Sequence, residues 1–130
     1  MRTIRVLLVD DSPEFLDSAA DLLTRQLHVQ VVGRASNGAE GVRLARELAP
    51  DLVLMDMAML GMSGLLATRY IKLQPRPPRV VIVSFHDQSA YRVNAAQAGA
   101  DGFIAKDAFA ETVLALIESL THQSERNSSS

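Results

Sequence analysis

Three aspartates, one serine and one lysine stand at the ends of four apolar runs. Those residue types together could hold a divalent cation and a phosphoryl group. Ile4–Val9 runs into Asp10 and Asp11, Leu52–Met55 into Asp56, Val80–Val83 into Ser84, and Gly102–Ala105 into Lys106. If the runs are parallel strands, all five side chains meet at one edge of the sheet, the edge where open α/β sheets carry their ligands. Three close carboxylates repel one another and cannot all stay ionised at low cost near neutral pH; a divalent cation resolves the conflict. An all-oxygen donor set with a partly hydrated shell favours Mg²⁺ over softer metals. A lysine in the same pocket repels that cation, so its presence makes sense where an anion also visits. A phosphoryl group fits, with one oxygen on Mg²⁺, one on Lys106 and one on the Ser84 hydroxyl. A carboxylate can itself be the nucleophile and form an aspartyl phosphate. Asp56, which ends a central run, is the candidate, and cation and lysine would offset the charge of the transfer state.

Taken singly, each feature has an ordinary explanation. An Asp-Asp pair after a strand is commonly a turn or helix cap, Asp56 a strand-terminating turn residue, Ser84 a strand-end hydroxyl and Lys106 a solvated lysine. Their joint placement at successive strand ends is what points to a site. His28, His86 and His122 have no metal-ligand spacing, although His86 lies beside the site and could tune it. Met55, Met57, Met59 and Met62 read as packing and loop filler. The chain has no cysteine, which removes disulfides, thiolate metal sites and thiol catalysis. A net charge of −2 and the lack of a long basic cluster argue against nucleic-acid binding by this segment. Arg76 and Arg79, in a proline-rich loop, read as solvated loop residues.

Positioning these side chains needs about five strand–helix alternations. Ser12-Pro13 is a hydroxyl cap followed by proline at a first helical position, and Phe15, Ala19, Leu22, Leu23 and Leu27 recur at helical spacing. Val29–Ala35 alternates like an edge strand. Asn37-Gly38 turns into a second helix carrying Val42, Leu44, Ala45 and Leu48. Gly61 and Gly64 flank the loop into a third helix, which Pro75, Pro77 and Pro78 end. The fourth helix, near Gln88–Ala98, is alanine-rich and weakly patterned; Phe109, Val113, Leu116, Ile117 and Leu120 stripe the last one. Strands apolar on both faces belong in the middle of a parallel sheet, and right-handed crossovers then give a doubly wound, flavodoxin-like α/β fold of five parallel strands in the order 2-1-3-4-5. With 130 residues the chain suits one domain, expected over residues 1–121, with 122–130 as a polar tail or the start of a linker. Met1-Arg2-Thr3 leads directly into a strand and is not a signal peptide, and no apolar stretch reaches membrane-span length. A cytoplasmic location is expected, with no membrane partner.

In the stretches LLVDDSPEF, LVLMDMAMLGMSGLLATRYI, VVIVSF and AGADGFIAKDA, the chain resembles the receiver domain of two-component response regulators over about residues 4–121. The AKDA stretch, with no proline after Lys106, is similar to the NarL/FixJ-type branch. The resemblance implies that Asp56 accepts a phosphoryl group from a sensor histidine kinase. It implies that Asp11, Asp56 and the backbone carbonyl of Ala58 hold Mg²⁺, with Asp10 helping through water. It implies that Lys106 pairs with the phosphoryl group, that Ser84 moves toward it, and that Phe103 turns into the space vacated. The switched surface would be the fourth helix, fifth strand and fifth helix, through which family members often form homodimers. Such a protein catalyses its own phosphotransfer and aspartyl-phosphate hydrolysis but turns over no external substrate, and it meets DNA only through an output domain not in this chain. Leu60 stands where the family generally has proline, and Phe85 where a small residue is typical; Ala58 and His86 occupy positions that tune dephosphorylation.

Three other readings compete. Phe85 and Leu60 motivate a receiver-like interaction module that works without phosphorylation. A phosphatase of the dehalogenase type also uses an aspartyl nucleophile, but in an Asp-x-Asp stretch, whereas Asp10 is followed by Asp11 and Ser12. Nucleotide binding would call for a Walker-type or GxGxxG loop after the first strand, and neither is present.

Overall fold

Alternating side chains on a strand point to opposite faces, so an apolar run with no polar break must be covered on both sides. A computed structural model, describing residues 2–128 with side chains through His122, meets that requirement. Strands β1 (Ile4–Val9), β3 (Leu52–Asp56) and β4 (Arg79–Ser84) form the centre of a sheet with β2 (Val29–Ala35) and β5 (Gly102–Ala105) at its edges. The order is β2-β1-β3-β4-β5 and every pairing is parallel. Helices α1 (Pro13–Thr24) and α5 (Phe109–Ser128) cover one face; α2 (Gly38–Leu48), α3 (Gly64–Lys72) and α4 (Ser89–Gln97) cover the other. Val6, Leu8, Leu52, Leu54, Val81 and Val83 enter the first core layer. Leu7, Val9, Val53, Met55, Val80 and Ile82 enter the second. Each such side chain contributes about 1.5–3 kcal/mol on burial, so the central strands are the most strongly fixed part of the molecule.

Local signals start the helices where the sequence predicts. Ser12 Oγ accepts the Phe15 N–H at 3.2 Å, with Pro13 beginning the helix. Asn37, expected as a turn residue, caps α2: its Oδ1 accepts the Glu40 N–H at 2.8 Å, while Glu40 Oε1 accepts the Ser36 N–H at 3.0 Å. Ser63 Oγ caps α3 through the Leu66 N–H at 3.2 Å. Helix α4 has no side-chain cap and buries only Ala95.

Two features differ from expectation. The alternation in β2 is interrupted, because Val6 pairs with Val31 but Leu7 with Gly33. Val32 is the extra residue of a bulge, which breaks the period-two pattern on an edge where no second neighbour enforces it. Helix α5 continues to Ser128 instead of giving way to a loose tail at His122. No glycine or proline interrupts residues 109–128, and extending an existing helix is far easier than nucleating one. Among the described residues, no helix is long and apolar enough to cross a membrane.

Candidate acidic phosphoryl site

Parallel pairing brings the C-terminal ends of β1, β3, β4 and β5 to one edge, where the five candidate residues stand. Asp10 follows β1 and is buried; its Oδ1 accepts the Ser12 N–H at 2.8 Å. Asp11 is exposed, and its Oδ2 accepts the Leu60 N–H at 3.4 Å. Asp56 ends β3, is 7% exposed and receives a hydrogen bond from the Ala58 N–H. Carboxylate oxygens of Asp10, Asp11 and Asp56 all lie within 4.8 Å of one another.

Lys106 enters this cup from the end of β5. Its Nζ is 2.8 Å from Asp10 Oδ2 and 3.8 Å from Asp56 Oδ1, and the side chain is nearly buried. Two aromatic rings flank the ammonium, Phe15 at 4.4 Å and Phe85 at 5.1 Å, distances at which a ring face attracts a cation. The Phe15 ring is held in turn by an edge contact with Phe109, 5.0 Å between centroids. Removal from water raises the Asp56 carboxyl from 3.8 to about 6, and the Asp10 carboxylate pushes it the same way; Lys106 pulls it down, Asp11 raises it again, and the Ala58 hydrogen bond opposes. The carboxyl is thus destabilised as an anion by its own surroundings and gains from any added positive charge.

The donor set suits a hard divalent ion. Three carboxylates against one ammonium leave two negative charges. Asp10 Oδ2 is buried and, apart from the Lys106 ammonium at 2.8 Å, has no polar partner among the described residues. An oxygen in that position has coordination capacity to spare. All donors are oxygen, as Mg²⁺ prefers.

Ser84 ends β4, is buried, and its Oγ accepts the His86 N–H at 3.0 Å. The His86 ring stacks on Tyr91 with centroids 5.1 Å apart. Phe85 is 70% exposed, so its ring covers the lysine from outside. Phe103 is half-buried on β5 beneath the guanidinium of Arg92, 4.6 Å from the ring centroid, and Arg92 Nε donates to Asp87 O at 3.2 Å. Of the expected residues, Asp10, Asp11 and Asp56 stand together with Lys106 beside Asp10 and Asp56, while Phe103 lies within β5, before the strand end that carries Lys106. Met55 and Met57 are core residues.

Sequence reasoning missed three contributors. Phe15 reads as one more apolar residue of a helical stripe, and Arg92 carries no signal in the sequence. Gly64 reads as a loop glycine, yet a Cβ there would lie 1.9 Å from Asp56 O. Its N–H donates to Met57 O at 2.9 Å, so α3 begins directly against the end of β3. Only the Phe15 contact left a signal, an aromatic in the first turn after an acidic strand end.

Comparison with known proteins agrees with this fold. The model of the response regulator receiver domain matches residues 6–118. The chain is 41% identical over 105 residues to the transcriptional regulatory protein LiaR of Bacillus subtilis, covering 79% of this chain and 49% of LiaR. It is 37% identical over 109 residues to the nitrate/nitrite response regulator NarL of Escherichia coli, covering 84% of this chain and 50% of NarL. The chain therefore spans about half the length of these relatives. Among solved structures, the signal receiver domain of the putative response regulator NarL from Mycobacterium tuberculosis superposes with a TM-score of 0.82 at 33% identity, over 91% of this chain and 98% of that one.

Proposed function

This chain belongs to the response regulator receiver domain family, and on that premise we propose that it is a switch operated by transient phosphorylation of Asp56. The observation that carries the reading is a buried carboxylate 3.8 Å from a nearly buried ammonium and within 4.8 Å of two further carboxylates. Asp10, Asp11, Asp56 and the Ala58 carbonyl would hold Mg²⁺. When bound, that ion supplies positive charge to the cup and to the phosphoryl oxygens.

The chain's own residues do the rest. An Asp56 oxygen attacks the phosphorus of a phosphohistidine on a sensor kinase. The P–O bond forms as the P–N bond breaks, and the departing imidazole keeps the electron pair and takes up a proton. Lys106 keeps its ammonium beside the group arriving on Asp56, giving charge-assisted hydrogen bonds to its oxygens. Ser84 exchanges the His86 N–H for the phosphoryl group, and Phe103 follows by leaving its place under Arg92. The phosphoryl group adds charge and acceptor oxygens at one end of β3, and the α4–β5–α5 face reports it, with a second copy as one partner and DNA reached through an output domain outside this sequence. Water attacking the phosphorus returns Asp56 and inorganic phosphate. A cytoplasmic location follows from the kinase partner.

The test is incubation with Mg²⁺ and a small phosphodonor, or with beryllofluoride, followed by intact-mass and NMR measurement. The wild-type chain gains one phosphoryl group and Asp56→Asn gains none, with the fold preserved. A second reading, a phosphorylation-independent interaction module, draws on exposed Leu60 and Phe85 beside the cup (87% and 70%). It is favoured if no donor, including a kinase, labels Asp56.

A further inference from the structure

If Asp56 accepts a phosphoryl group, the Lys106 ammonium must meet it, and carboxylates alone do not fix where that ammonium rests. Its Nζ is 2.8 Å from Asp10 Oδ2 and 3.8 Å from Asp56 Oδ1, so it stands nearer to Asp10 than to the proposed acceptor. A lysine head is a compact charge on a flexible stem. It follows whatever charge is near, and a cation entering the cup or a phosphoryl group arriving on Asp56 rearranges those charges.

The Phe15 ring is a neighbour of a different kind. Its centroid is 4.4 Å from Nζ, and the ring is fixed from two sides. The Phe15 N–H donates to Ser12 Oγ at 3.2 Å, and the Ser12 N–H donates in turn to Asp10 Oδ1 at 2.8 Å. The ring meets Phe109 at 74°, with centroids 5.0 Å apart. Phe109 is buried in the core layer beneath α1 and α5, and a single turn, Lys106–Ala108, separates it from the end of β5. Phe15 is therefore tied through its backbone to Asp10 and through its ring to the segment that carries Lys106. Phe85, the other ring beside the ammonium, is 5.1 Å away and 70% exposed, a position that covers the lysine rather than anchors it.

We propose that Phe15 is a positioning residue for Lys106: its ring face holds the ammonium over the cup while the amine exchanges Asp10 for the phosphoryl oxygens on Asp56. The inference rests on the phosphorylation reading. A ring face attracts a cation through its quadrupole and leaves ammonium N–H donors free for oxygen. It steadies the amine without competing for the place of the phosphoryl oxygens, as a further carboxylate would. Packing against the core layer accounts for an apolar side chain at this position, but packing does not call for an aromatic one. The charge pattern of the ring is what separates positioning from packing.

The test exchanges the Phe15 ring within the 130-residue chain. Phe15→Leu keeps apolar bulk and removes the ring. Trifluoro- and pentafluorophenylalanine, placed there by nonsense suppression, keep the ring's shape while weakening and then inverting its charge pattern. Phosphoryl uptake from a small donor with Mg²⁺ is timed by intact mass, urea unfolding reports stability, and the Lys106 Hε chemical shifts are read in the metal-free chain. Uptake should slow by about threefold to tenfold in Phe15→Leu and in graded steps with fluorination, while the fluorinated chains unfold like wild type. The Lys106 Hε protons, shielded by the ring in wild type, should move to ordinary lysine positions in Phe15→Leu. Equal uptake by every chain, or full uptake with the pentafluorinated ring, makes Phe15 a packing residue and overturns the proposal. Unmoved Lys106 shifts in Phe15→Leu overturn it as well, because the contact itself is then absent. If the wild-type chain takes up no phosphoryl group, the phosphorylation reading falls and this role falls with it; slowed uptake is lost for Phe15 alone when wild type labels and the variants match it.

Discussion

The Asp56 carboxyl is costly to keep ionised, and that cost is measurable. Its raised value, from 3.8 to about 6, means the folded state holds this proton more tightly than the unfolded chain does. The associated stability is complete below the unfolded value of 3.8 and is lost as pH rises through about 6. The full shift corresponds to ~3 kcal/mol; screening by solvent at the mouth of the cup reduces the expected effect to about 1–2 kcal/mol. Without divalent ions, Asp56→Asn should therefore be more stable than wild type by that amount at pH 7.5, and the gap should close by about pH 4. Urea unfolding across this window checks it; parallel curves for the two proteins would mean the carboxyl is not desolvated. Phe85 acts at the same scale. Its exposed ring lies over the Lys106 ammonium, so Phe85→Ala should open the cup and raise both phosphoryl uptake from a small donor and the loss of phosphate. Unchanged rates for both would make the ring irrelevant to access. The five chemistry-bearing residues were legible because each terminates an apolar run, and a run's end fixes its place in a parallel sheet. Phe15 and Arg92 were not legible, since their contacts depend on how α1 and α4 come to rest on other strands.

At the level of elements, the junction of β3 and α3 is the tightest. Gly64→Ala would drive a methyl into the Asp56 carbonyl, and backbone has little room to yield. The expected loss is about 1–3 kcal/mol, together with weaker phosphoryl uptake, because the strand end that carries Asp56 must shift. A variant with wild-type stability and wild-type labelling would show that α3 can move away freely. Helix α4 is the contrary case. With one buried side chain and no side-chain cap, its amides should exchange with deuterium much faster than those of β1, β3 and β4. Equal protection would mean that contacts other than core packing hold it. Strand and helix types were readable from periodicity, including the weakness of α4. The β2 bulge was not, because nothing in an edge strand's alternation announces a skipped residue. The length of α5 was not either, since its final turns have no apolar stripe to follow.

For the molecule as a whole, the two-sided sheet gathers the acidic cup at one end of its strands. A divalent ion that binds only the folded cup stabilises the entire fold by mass action, ~2.7 kcal/mol at a concentration a hundredfold above its Kd. Mg²⁺ should raise the melting temperature and chelator should reverse it. Asp11→Asn, which alters an exposed member of the proposed donor set with few structural duties, should remove most of that gain. A melting temperature indifferent to Mg²⁺ would remove the ion from the scheme. The topology also has a bearing on synthesis. The lysine that faces Asp10 and Asp56 arrives at the end of the last described strand, nearly a hundred residues after Asp10. A nascent chain therefore cannot assemble the pocket until β5 has emerged from the ribosome and docked, so on the proposed reading a truncated translation product would be mute to a kinase rather than a false signal.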